Sequence, residues 1–250
     1  MRVVSLCPSL TELVFDLGMG PALVGRTKFC VHPAPGVANV ETVGGTKTPK
    51  VARIIDLRPD IVLMNDEENR REDAGALTAA GVRVHSTMPI TAEETAAMVR
   101  SIADALGATD AGEAVARDIE RRAARVRAAA TSAPHVDYAY LIWREPWMTV
   151  SDDTFIAGLL GMAGGRNVFA DAKDRYPTIT LEQLAERSPS VVLLSSEPFP
   201  FAEKHVDELS STLGWEVGRF RLVDGELLSW HGSRTPRGID YAESVIAAAR

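Results

Sequence analysis

Short apolar runs of strand type alternate with amphipathic stretches from one end of the chain to the other. Val3-Val4-Ser5-Leu6 is such a run, and Cys7-Pro8-Ser9 turns it into a predicted helix over Leu10–Leu17 that Gly18 ends. Leu23-Val24-Gly25 is a second short strand, followed by a loop that Pro and Gly punctuate through Gly44-Gly45-Thr46-Lys47. Lys50–Leu57 reads as a helix stopped ahead of Pro59, and Asp60-Ile61-Val62-Leu63-Met64 has the continuous β-branched character of a strand buried on both faces. A helix over Arg70–Ala80 with Gly81 as its stop, a strand Val82-Arg83-Val84, and a helix capped by Thr91 with Glu94 follow. Such alternation predicts an α/β architecture with parallel strands.

Ala111–Ala130 is the longest helical stretch, and at about 1.5 Å per residue it spans about 30 Å, the width of a small domain. Asp110 with Glu113 makes a capping box at its start, and Ala133-Pro134 closes it. Val115, Ile119, Ala123 and Val126 form one narrow apolar stripe opposite Arg117, Arg121, Arg122, Arg125 and Arg127. A stripe that narrow packs against something without being swallowed by it. An ordinary amphipathic helix on the outside of one domain has the same pattern. Its place at mid-chain favours a rigid rod between two lobes, with no partner helix of its own.

Past Pro134 the pattern restarts. Val136–Ile142 and Thr149-Val150 are predicted strands, Thr154–Met162 a helix stopped by Gly164-Gly165, and Thr180 with Gln183 caps a helix that ends ahead of Pro189. Val191-Val192-Leu193-Leu194 is again a buried strand, and Glu203–Leu213, Phe220–Val223 and Arg237–Ala249 follow as helix, strand and helix. Ile54–Met64 and Leu184–Leu194 share one grammar: a helix end, a proline one residue before the strand turn, then four apolar strand residues. Their placement on either side of the long helix predicts an internal duplication. The expected fold is α/β, two Rossmann-like lobes joined by a single long backbone α-helix, with residues 1–108 as the first lobe, 109–133 as the linking helix and 134–250 as the second lobe.

Composition narrows the class. Hydrophobic residues at 46% and charged residues at 24% exclude disordered and fibrous chains. A net charge of −7 argues against nucleic acid as the main partner and leaves room for a basic one. The two cysteines, Cys7 and Cys30, make no disulfide framework, although they can pair with each other, and no C-x-x-C occurs. No apolar run approaches the ~20 residues that a membrane helix needs, so the chain is not expected to span a membrane. Met1 enters a strand with no basic n-region, apolar h-region or cleavage site ahead of it, which reads as a cytosolic or already processed chain.

Ligands of open parallel sheets bind beyond the carboxyl ends of the strands. In the first half that rule collects Ser5-Leu6-Cys7, Cys30-Val31-His32 and Asn65–Asn69; in the second, Trp143–Trp147, Ser195–Phe199 and Ser229–Gly232. Three of the four tryptophans, Trp143, Trp147 and Trp230, fall in this set. Trp at a loop tip is costly unless it covers something flat, so three together point to a large planar apolar ligand, whereas any one alone packs under its own loop. Asn65, Phe199, Arg144 and His231 join them as candidate ligand contacts, the last two for polar substituents. Cys30 and His32, two apart on one loop, can face a metal or a ligand's metal centre, and a packed Cys beside a surface His explains them equally. The five histidines make no H-E-x-x-H, and neither G-x-S-x-G nor a P-loop occurs, so no catalytic residue is assigned and the chain does not read as an enzyme. Glu67, Glu68 and Glu72 in one half and Glu197, Glu203 and Glu208 in the other are either solvated helix starts or docking points for a partner's arginines.

With these residues collected, the chain resembles the class III substrate-binding proteins of ABC importers, whose two α/β lobes share one backbone helix, and within that group the cobalamin-binding type. The likeness covers nearly the whole chain. It rests on Val4-Ser5-Leu6-Cys7-Pro8-Ser9-x-Thr11-Glu12-Leu13, Arg58-Pro59-Asp60-Ile61-Val62, Gly164-Gly165-Arg166-Asn167-Val168-Phe169, Arg187-Ser188-Pro189 and Arg234-Thr235-Pro236-Arg237. The resemblance implies a monomeric, extracytoplasmic binding protein of periplasmic type with no intrinsic cofactor. Its ligand, a cobalt corrinoid or another metal chelate, would be held between lobes that hardly hinge, and a glutamate on each lobe would engage arginines of an ABC permease. By position Cys30, Trp143, Trp147 and Trp230 match the cleft lining of that type, and Glu68 or Glu72 with Glu203 match its docking tips. Three departures bear on this. No secretion signal or lipobox precedes Met1, Gly44–Lys47 and Asn65 stand where cobalamin binders carry an aromatic cluster, and Cys30-x-His32 is not their usual loop. These leave open a haem or a metal siderophore, a bare ion held by Cys30, His32 and His231 or His205, a cytosolic tetrapyrrole-handling enzyme of chelatase type, and a cytosolic sensor.

Overall fold

The computed structural model describes residues 1–250. The chain divides into two compact units: Met1–Pro89 with Glu93–Asp118 and His231–Arg234, and Ile90–Ala92 with Ile119–Trp230 and Thr235–Arg250. Sequence alone placed contiguous lobes with boundaries near residues 108 and 133; the units instead exchange short segments, and the change within the mid-chain helix falls after Asp118.

The first unit runs β1 (Val3–Ser5), α1 (Pro8–Asp16), β2 (Leu23–Arg26), α2 (Ala34–Val37), β3 (Glu41–Thr42), α3 (Val51–Asp56), β4 (Ile61–Asn65), α4 (Arg71–Ala79), β5 (Val84–Thr87), α5 (Ala92–Leu106) and the start of α6 (Thr109–Thr131). Its strands are all parallel, in the order β3-β2-β1-β4-β5. Val4, Leu6, Val62 and Met64 alternate onto one face and pack with Val43, Ile54 and Leu77. Val3, Ile61 and Leu63 on the opposite face are also buried, which is why these strands read as unbroken apolar runs. α1 begins at Pro8, whose missing N–H would find no partner in a first turn anyway. β5 starts two residues later than expected because the Val82 N–H closes α4 on the Leu77 carbonyl at 3.0 Å, with Gly81 left-handed between them.

α6 is unbroken over 23 residues. Two expectations about it fail. Asp110 lies inside the first turn, and the Glu113 carboxylate is taken by Arg100 and Arg117, each Nε at 2.6 Å, so no capping box forms there. Nor is α6 without partner helices. Gly112 approaches α5 so closely that a Cβ would lie 2.2 Å from that of Ala103. Farther along, within the second unit, Arg122 and Arg125 pair with Asp240 and Glu243 of the C-terminal helix.

The second unit holds β6 (Val136–Trp143), β7 (Met148–Thr149), α7 (Phe155–Met162), β8 (Gly165–Asn167), α8 (Leu181–Arg187), β9 (Val191–Ser195), α9 (Glu203–Leu213), β10 (Phe220–Val223), α10 (Gly225–Ser229) and α11 (Thr235–Ala248). The sheet order is β10-β9-β6-β7, with β8 parallel to the first part of β6 and β7 antiparallel to its end. Gly164-Gly165 is therefore more than a stop signal. Gly165 opens β8, and a Cβ there would meet the Leu160 carbonyl oxygen at 2.9 Å. The run β10-β9-β6-β8 repeats β5-β4-β1-β2 strand for strand. Arg58 and Ser188, each just before the proline that leads into β4 or β9, share a left-handed backbone, φ 48° and 45°. The chain is thus two copies of one α/β plan, joined by a long helix.

Candidate functional site

In the second unit the carboxyl ends of β6 and β9 carry an aromatic cluster. Trp143, the last residue of β6, meets Phe199 edge-on at 5.8 Å between ring centroids, and Phe199 meets Phe201 the same way at 4.7 Å. Phe201 stacks on Trp147 at 6.1 Å with ring planes 7° apart, and His205 of α9 stands edge-on to Phe199 and Phe201. His205 Nδ1 accepts the Ala202 N–H at 2.9 Å, which caps the start of α9. The inner rings belong to the core, but Trp143 remains 39% exposed. Arg144 lies 5.9 Å from the Trp147 ring, donates to both oxygens of Glu208 and gives Nη1 to Glu145 at 2.6 Å. The hydrogen bonds to Glu208 raise its pKa, so its charge is fixed.

The three expected tryptophans thus play unequal parts. Trp143 presents its ring, Trp147 is half-buried on Phe201, and Trp230 is only 8% exposed. Trp230 Nε1 donates to Glu197 Oε1 at 2.9 Å, and Ser229 Oγ donates to the same oxygen at 2.6 Å. Glu197, expected among the acidic tips, thereby holds its own loop.

In the first unit the carboxyl end of β2 leads into Phe29-Cys30-Val31-His32. Cys30 is wholly buried with Sγ 3.1 Å from Thr27 Oγ1, and burial pushes its thiol pKa up. Its neighbours Phe29 and Val31 are 50% and 48% exposed, and His32 is half-buried. Sequence reasoning weighted Cys30 for its chemistry and passed over the two side chains that face outward. Phe29, Cys30 and Val31 are all apolar and follow the end of β2, so no strand alternation in the sequence marks which of them faces outward. Cys7 is buried as well, its thiol pushed up to about 12 chiefly by burial, and both cysteines are free thiols rather than a pair. No group of three or more His, Cys, Asp or Glu converges to hold an ion.

Asn65 and His231 require correction. Asn65 Oδ1 accepts the backbone N–H groups of Glu67 and Glu68, both at 3.0 Å, while Nδ2 reaches the Thr87 carbonyl at 2.8 Å and His231 Nε2 at 3.0 Å. His231 is buried with its other ring nitrogen 3.3 Å from Ser9 Oγ. Both residues employ their polar atoms inside the first unit and leave none to offer a ligand. Of the expected docking residues, Glu72 sits exposed in the first turn of α4 and Glu203 exposed at the start of α9, equivalent places in the repeated plan. Glu68 lies half-buried in the loop between β4 and α4. A groove of about 570 Å³ between β5 and α5 is lined by His85, Thr87, Met88, Met98 and Ser101, none of them expected from sequence.

No helix is long and apolar enough to cross a membrane. A curated relative, the vitamin B12-binding protein of Vibrio cholerae serotype O1, is 24% identical over 249 residues, covering 98% of this chain and 87% of that one. Among solved structures, the periplasmic vitamin B12 binding protein of Vibrio cholerae superposes with a TM-score of 0.85 at 22% identity, covering 99% of this chain and 97% of that one. The periplasmic heme-binding protein of Roseiflexus sp. RS-1 in its apo form superposes with a TM-score of 0.84 at 25% identity, covering 100% and 99%. The model of the periplasmic binding protein family matches residues 3–216, and over that span, with the repeated α/β plan and the helix that joins its copies, the chain belongs to this family.

Proposed function

We propose that this protein captures a corrinoid, or a closely related planar metal chelate, and delivers it to an ABC permease. The observation that carries the reading is Trp143: a large flat ring, backed edge-on by Phe199 and the cluster beneath, left 39% exposed at a strand end. A ligand can remove from water only the exposed two fifths of a side chain that buries about 150–250 Å² in all, which is worth about 1.5–2.5 kcal/mol at about 25 cal/mol per Å². Arg144, firmly charged and fixed by Glu208, supplies directional hydrogen bonds to polar substituents of the macrocycle. In the first unit Phe29 and Val31 supply apolar surface. The vitamin B12-binding relatives support a corrinoid as the ligand. Glu72 and Glu203, exposed at equivalent helix starts, suit paired contacts with permease arginines, which set orientation and on-rate more than affinity. The family setting favours an extracytoplasmic location and binding rather than turnover.

Addition of cyanocobalamin to the apo protein is expected to change its visible absorbance and raise its melting temperature. No shift at a millimolar concentration would remove the corrinoid claim. Trp143→Ala should weaken binding about tenfold or more while leaving the apo melting temperature nearly unchanged, because the ring is partly in solvent already. Haem is the second reading, favoured by the heme-binding structure at 25% identity and by the half-buried His32. His32→Ala should abolish a hemin-induced spectral shift if haem is the ligand, and should leave cyanocobalamin binding within a few-fold if it is not.

A further inference from the structure

Four residues from near the C-terminus, His231–Arg234, belong to the first unit. Arg234 grips Glu12 with two hydrogen bonds of 2.8 Å, Ser233 Oγ donates to Asp16 at 2.5 Å, and His231 is buried between α1 and the end of β4. The hydrogen bonds of Asn65 fix which His231 nitrogen is bare. Asn65 Oδ1 accepts two backbone N–H groups, so Nδ2 is the donor, with one hydrogen for the Thr87 carbonyl and the other for His231 Nε2. Nε2 therefore bears no proton. The ring is neutral, with its single hydrogen on Nδ1, which lies 3.3 Å from Ser9 Oγ, and that oxygen lies 3.3 Å from Cys7 Sγ. The loop that Asn65 holds is fastened at its other end as well. Asn69 Oδ1 accepts the Asn65 N–H at 2.9 Å, and its Nδ2 reaches the carbonyls of Leu6 and Thr46, both at 3.0 Å.

We infer that His231 is a positioning residue for the acidic loop Asp66–Asn69: it orients the Asn65 amide, and through it the backbone that presents Glu67 and Glu68 to a basic partner. The last step carries to Glu67 and Glu68 the docking role proposed above for Glu72, which follows them in the first turn of α4. Asn65 is the point where the late-chain segment acts, because its side chain touches His231 on one side and the Glu67 and Glu68 amides on the other. Burial holds the His231 imidazole at about 4, well below its ordinary value, in keeping with a neutral ring that accepts at Nε2.

The test uses the intact, unliganded chain and nitrogen-resolved NMR. In the parent at neutral pH, long-range spectra should show His231 Nε2 as a bare nitrogen and Nδ1 as a protonated one. The amides of Glu67 and Glu68 should exchange about tenfold or more faster in His231→Phe, which keeps a ring of similar bulk and removes both hydrogen bonds. His231→Gln, whose amide can accept from Asn65, should recover most of that protection. Val62 of β4 serves as the reference, its N–H bonded to the Arg83 carbonyl. A protonated Nε2 in the parent overturns the inference, and so does unchanged exchange at Glu67 and Glu68 in the Phe variant. Equal loss at Val62 also overturns it, because that is a general loosening of the unit. Should the Phe variant not fold, the nitrogen shifts of the parent still decide. None of these readouts involves a chelate or a permease, so failure of this inference is distinguishable from failure of the proposed function.

Discussion

Arg58 and Ser188 occupy the left-handed backbone region at the same point of the repeated plan, and neither is a glycine. That conformation costs an L residue about 1 kcal/mol. We expect Arg58→Gly to raise stability by up to about 1 kcal/mol in urea denaturation, and Ser188→Gly to gain less, because Ser188 Oγ accepts from Arg219 Nη2 at 3.0 Å. A loss in Arg58→Gly would count against strain at that turn. The helix–proline–strand grammar was legible in the sequence; the left-handed turn was not, since Arg and Ser do not announce it as Gly does. His231 shows the opposite failure, where a chemically suggestive residue was assigned to a ligand and turned out to serve the scaffold. Its folded pKa of about 4 lies below the 6.5 of the free group. Between those values the unfolded chain binds more protons, so stability present above about pH 6.5 is lost as pH falls toward 4, by about 3 kcal/mol in full. His231→Gln should flatten that part of the stability profile. Glu113, held at about 2 by Arg100 and Arg117, contributes only in a lower window, with loss as pH falls from 4.5 toward 2.

At the scale of elements, apolar periodicity located the longer helices and the central strands, because those segments are buried on the face their spacing defines, but not the short helices α2 and α10. Glu203–Leu213 and Phe220–Val223 match residue for residue. What escaped were short edges such as β3 and β8, whose two or three residues are too few to show a period, and the true start of β5. The capping box of Thr180 and Gln183 was legible because its partners are local, and Thr180→Ala should cost about 1 kcal/mol in chemical denaturation. The packing of α5 on α6 was hidden, since a single Gly112 in an Ala-rich helix carries no sign of what it touches. Gly112→Ala should destabilise by about 1–3 kcal/mol despite the better helix propensity of Ala, because the new methyl would fall on that of Ala103. Adding Ala103→Gly should restore most of the loss, and failure of that rescue would move the blame to the Val99 carbonyl, 3.4 Å from the same position.

For the molecule as a whole, the likeness to binding proteins was readable because it lay in the order of motifs along the chain rather than in any one residue. The candidate faces were only partly readable. Trp143 stands out in sequence and in space, whereas Phe29 and Val31 become visible only once burial of Cys30 shows which way their loop points.

The return of His231–Arg234 to the first unit has a consequence for ancestry and for engineering. Two repeats descended from one gene would begin as detachable modules, but these are now stitched together. A gene cut within α6 would encode a front piece lacking the arginine that neutralises Glu12, and a back piece carrying that arginine with nothing to grip.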